Sequence, residues 1–144
     1  MMNNGFAKSW LARFGAALVG LGFVIFLVGI FPEYFSLDLT TGFGLLQIAT
    51  FLVGLSVMTG GAYIYMYATR HRAMPHGLRE DIGVRLIATG LVIAWATGLA
   101  DVIGIGTHFG QQRPFFGPVQ AWGVSAGLML IIAGIGLYAQ RQTE

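Results

Sequence analysis

The sequence predicts an all-α integral membrane protein, a bundle of four transmembrane helices built as two tandem helical hairpins with both termini cytoplasmic. Three observations predict it. Of 144 residues, 56% are hydrophobic and only 10% charged, with a mean hydropathy of +0.72; in soluble domains about a quarter of residues are charged. The apolar residues fall in long blocks, 11–31, 43–68, 82–106 and 118–139. Each reaches the ~20 residues that a helix needs to cross about 30 Å of hydrocarbon. Finally, the basic residues are sorted between the connections rather than scattered.

The first block follows a short polar lead, and Trp10 stands where an interfacial ring would anchor the helix. Lys8 and Arg13 before an apolar run resemble a secretory leader, but the run is too long and no small-residue cleavage site precedes Pro32, so a retained helix is expected. Pro32 cannot continue the ladder and Glu33 is costly in lipid, which ends the span. Thr40 or Thr41 is the expected cap of the second helix, which runs to Arg70 and closes with Tyr63, Tyr65 and Tyr67 as an interfacial belt. The connection that follows holds Arg70, His71, Arg72, His76, Arg79 and Glu80, and Asp81 is the expected N-cap of the third helix. Pro118 suits the first turn of the fourth.

Orientation follows from the charges. Lys8, Arg13, Arg70, Arg72, Arg79, Arg85 and Arg141 fall on one side of a four-span layout and Arg113 alone on the other. The positive-inside bias then makes both termini and the middle connection cytoplasmic, in a multi-pass protein of the plasma or inner membrane. Sorting by side also argues against a nucleic-acid partner, despite a pI near 9.3. The chain has no Cys, which excludes disulfides, iron–sulfur clusters and thiol catalysis.

An internal repeat supports the hairpin layout. At an offset of 73, Phe43, Gly44, Gln47, Gly54, Leu55, Gly61 and Tyr65 meet identical residues from Phe116 to Tyr138. Roughly two or three matches are expected by chance from so apolar a composition. Helices one and three match poorly, with Gly15 and Gly29 falling on Gly90 and Gly104 only at a slightly different offset.

Glycines recur every seven residues: Gly15, Gly22 and Gly29; Gly54 and Gly61; Gly83, Gly90 and Gly104, with Thr97 in the gap; Gly127 and Gly134. Such spacing keeps a seam of small residues facing a neighbour, and in lipid close packing at small residues drives helix association. Gly98 and Gly123 add four-residue spacings on helices three and four, favouring a second close crossing.

Polar chemistry inside the spans is sparse. Asp101 lies beyond the middle of the third span, toward its outer end, and an intramembrane acid is a candidate functional group, or else an anchor for Arg113 or His108. Gln47 and Gln120 occupy matching places one turn inside the outer ends of helices two and four, where amides bond across helices or to Asp101. His108 is the weak candidate ligand for a pigment. Arg70, Arg72, Arg79 and Arg85 are expected to meet anionic lipid headgroups or a partner's acids. No nucleophile–base pair, metal motif or nucleotide fingerprint occurs.

These features favour a structural or accessory subunit of a larger energy-transducing or pigment-bearing membrane complex, without catalysis of its own. Its expected partners are membrane lipids, other subunits or further copies. No cofactor is expected as a requirement, with bound lipid, quinone or pigment as the candidates. The alternatives are a small homo-oligomeric transporter or channel using Asp101 with Gln47 and Gln120, and a lipid- or quinone-binding enzyme subunit.

Overall fold

The computed structural model describes residues 4–32, 44–69, 78–100 and 117–139. Every described element is helical: α1 (Asn4–Ile30), α2 (Leu45–Thr69), α3 (Leu78–Gly98) and α4 (Pro118–Ala139). All four are long and apolar enough to cross a membrane. Large apolar side chains lie at the surface of each helix as well as inside, from Leu21 and Phe23 on α1 to Met129 and Ile132 on α4. A helix apolar on every side suits a hydrocarbon solvent.

The ends differ in detail from those expected. α1 closes with the Phe31 amide donating to Leu27 O at 2.8 Å, just before Pro32. α2 starts from Gly44, whose carbonyl accepts from Gln47 and Ile48, so neither Thr40 nor Thr41, both outside the described residues, stands at its N-cap. Its last described residue is Thr69, whose hydroxyl donates back to Tyr65 O at 2.9 Å, and the expected end at Arg70 lies outside the described residues. α3 begins four residues before the expected span, so Asp81 lies in the first turn beside Glu80 rather than at the cap. Both acids still sit at the positive end of the helix, where a carboxylate is favoured.

The expected third span runs to Gly106, but the α3 helix stops at Gly98. The Leu99 amide donates to Trp95 O, the Ala100 amide tightens to Thr97 O at 3.3 Å, and residues 101–106 lie outside the described residues. At the start of α4, Pro118 occupies the first helical position and Gly117 the cap. Ala121 N–H donates to Gly117 O at 3.1 Å.

The chain packs as two antiparallel hairpins, α1 with α2 and α3 with α4, and α2 is the helix through which the first hairpin meets both helices of the second. The core lies at that junction. Ile48, Leu52, Leu55 and Ala94 are fully buried there, with Phe51 and Ile131 nearly so. Side-chain hydroxyls serve their own helices: Thr50, Ser56, Thr59 and Thr97 each donate to the carbonyl four residues back, at 2.7–2.9 Å. Where no water is at hand, this is how a helix keeps its polar atoms paired.

Candidate functional site: two glycine seams and the cleft between hairpins

Within each hairpin the helices touch backbone to backbone at glycine. A Cβ added to Gly15 would stand 2.6 Å from the Tyr65 amide nitrogen, and one on Gly61 would stand 2.7 Å from that of Val19. Two turns further, a Cβ on either Gly22 or Gly54 would lie 2.9 Å from the other's carbonyl oxygen. Gly29 lies against the Phe51 backbone. The second hairpin does the same. A Cβ on Gly83 would be 2.8 Å from Gly134 O, and one on Gly134 would be 2.6 Å from Gly83 O. Gly90 and Gly127 oppose each other likewise, and Gly123 lies against the Thr97 side chain. By contrast, a Cβ on Gly20, Gly60 or Gly136 would meet nothing within 4 Å.

These opposed pairs set the register of the repeat. Gly15 and Gly22 of α1 correspond to Gly83 and Gly90 of α3, an offset of 68, while Gly54 and Gly61 of α2 correspond to Gly127 and Gly134 of α4, an offset of 73. The offset that placed Gly15 on Gly90 is therefore one heptad out. Sequence comparison slid because a seven-residue pattern matches itself after a shift of seven, and because Thr97 breaks the run on α3. In the corrected register Leu18, Val24 and Ile25 also match Leu86, Val92 and Ile93. The connection between the helices is five residues longer in the second hairpin, the difference between the two offsets.

Contacts between hairpins are made by side chains. Leu52 reaches over Gly98, where an added Cβ would be 3.1 Å from Leu52 Cδ1. The Trp95 indole N–H donates to Ser56 Oγ at 2.9 Å, and the Ser56 hydroxyl in turn donates to Leu52 O. At the other end the rings of Tyr63 and Tyr138 lie 5.8 Å apart. The sequence held no local signal for the Trp95–Ser56 bond, which joins residues 39 apart.

Of the candidate polar groups, Gln120 is buried, and its amide oxygen accepts from the Gly117 N–H of its own helix at 2.8 Å. This is the reciprocal half of a capping box, with Gln at the third helical position. That oxygen thus serves its own helix start rather than a ring shared across helices. Gln47 is half-buried in the first turn of α2. Asp101, His108, Arg113, Gly104, Arg70 and Arg72 lie outside the described residues. Arg79 and Arg85 are exposed on α3, with Arg85 on the same outward stripe as Ile82 and Val92.

On the far side of the junction a cleft of about 270 Å³ opens between α1, α2 and α4, lined by Phe26, Ile30, Phe51, Ala121, Val124 and Ser125. The Phe26 and Phe51 rings meet edge to face at 6.3 Å on its floor. Neither a protein-family model, nor a curated protein, nor a solved structure matches this chain.

Proposed function

We propose that the chain lies in a membrane with both termini and the α2–α3 connection on the cytoplasmic side, and serves as a structural subunit of a larger membrane complex. The observation that carries this reading is the outer surface. Val92 is 66% exposed, Met129 73% and Trp122 79%, and α1 leaves Leu21, Phe23 and Val24 uncovered. Apolar faces of this extent fit lipid or neighbouring helices.

The sided distribution of Lys and Arg supports the orientation, in which Arg79 and Arg85, both exposed on α3, would meet anionic headgroups at the cytoplasmic rim. The test is purification in mild detergent followed by identification of the chains that come with it. Reproducible partner subunits are expected, and a homo-oligomer alone would refute the accessory role.

A second reading, a small homo-oligomeric transporter, draws on the cleft between the hairpins. Substituting Asp101→Asn separates the two: assembly intact and function unchanged argues against transport, whereas lost flux in an intact assembly argues for it.

A further inference from the structure

The corrected register pairs each wall of the open cleft with a wall of the closed core. On α1, Phe26 and Ile30 correspond to Ala94 and Gly98 of α3; on α4, Ala121 and Ser125 correspond to Ile48 and Leu52 of α2. In the core the large residues are on α2 and the small ones on α3, and Leu52 drops into the space above Gly98. At the cleft the sizes are reversed, with large residues on α1 and small ones on α4. The two faces are complementary, yet the contact is unmade: Ala121 and Ser125 are exposed, Phe26 and Ile30 only half-buried. Elsewhere on α4 the same holds, since Ile132, the counterpart of buried Thr59, is 61% exposed.

The mechanical setting differs within and between hairpins. Inside each hairpin the opposed glycines bring backbone against backbone, which leaves no room for sliding. Between them the described residues meet through side chains such as Leu52 over Gly98, latched on the α2·α3 side by Trp95 and Ser56. The counterparts of that pair on α1 and α4 are Leu27 and Met129, which have no hydrogen bond to make.

We infer that the two hairpins rock against each other as rigid bodies about the α2 contact, closing the cleft by seating Phe26 and Ile30 of α1 on Ala121 and Ser125 of α4. The chain thus has an open arrangement, described here, and a closed one in which both faces of the repeat are packed. Packed interfaces tend to switch between discrete arrangements rather than deform continuously. The inference rests on the membrane reading but on neither account of what the protein serves.

The chain lacks Cys, so spin labels can be placed in the full-length protein in nanodiscs at Val24→Cys on α1 and Ala126→Cys on α4, exposed positions whose counterparts Val92 and Val53 are exposed too. Two distance populations are expected. Ser125→Leu, which fills the hole on α4 as Leu52 fills the core, is expected to abolish the shorter one, while Ser125→Ala keeps it. A single population unchanged by Ser125→Leu would overturn the inference, as would equal loss in Ser125→Ala. A label pair across the α1–α2 seam, Leu21→Cys with Tyr63→Cys, should give one narrow population in every variant; broadening there would refute rigid hairpins. A label at Val92→Cys reports separately on insertion, since contact with water rather than oxygen-rich hydrocarbon would sink the membrane reading alone.

Discussion

Gly22 and Gly54 face each other so closely that a methyl on either would stand 2.9 Å from the other's carbonyl oxygen. The relationship is reciprocal because the helices run antiparallel with glycine at the crossing on both sides. Gly90 and Gly127 repeat it in the second hairpin. Glycine is required at these points by the neighbour's backbone, which cannot rotate aside as a side chain would.

Gly22→Ala should therefore push α1 from α2 at a cost of about 1–3 kcal/mol, the usual penalty of overpacking. Gly20→Ala, two residues away and with nothing within 4 Å, should be neutral or stabilising by up to ~1 kcal/mol through helix propensity. Unfolding titrations in mixed SDS micelles would rank the two, and equal midpoints would contradict the seam.

For the second hairpin, Gly90→Ala and Gly127→Ala should each destabilise by a similar amount. The double variant should cost less than the sum, because one displacement of the backbone accommodates both methyls. A double-mutant cycle on the same titration checks it, and strict additivity would place the two residues in separate contacts.

Trp95→Phe removes the indole donor to Ser56 and should cost roughly 0.5–1.5 kcal/mol. The loss falls between hairpins rather than within them. Cross-linking of introduced Cys pairs should weaken for Leu52 with Gly98 and stay unchanged for Phe26 with Phe51, whose rings meet within the first hairpin.

Gln120→Leu deletes the acceptor for the Gly117 N–H and should fray the start of α4 at a cost of about 1 kcal/mol. Amide hydrogen exchange at residues 117–121 is expected to rise, while that of the α1–α2 hairpin stays constant. Unchanged exchange at residues 117–121 would mean the amide does not hold the helix start.

Single Cys residues at Thr69→Cys and at Gly117→Cys test the orientation by labelling sealed cells with an impermeant maleimide. The second should react and the first should not. The reverse pattern would invert the bundle.

Much of this was written in local composition. The four apolar blocks gave the helix count, Pro32 ended α1 and Pro118 began α4, because hydrophobic length and the missing proline donor act within a few residues of themselves. The heptad glycines named the surfaces that would touch, since a glycine's lack of Cβ is a property of the residue alone. The position of Gln120 was legible too, but its hydrogen bond was not, because an amide finds the nearest unpaired backbone donor and the sequence does not say which that is.

Which glycine opposes which was decided by the tertiary structure. A seven-residue pattern is degenerate under a shift of seven, and only the antiparallel crossing chose Gly83 over Gly90 as the partner position of Gly15. The same is true of the bond from Trp95 to Ser56 and of the uneven closure of the two halves. Periodicity decides which face of a helix is small, whereas which neighbour comes to lie on that face depends on how separate segments meet in space.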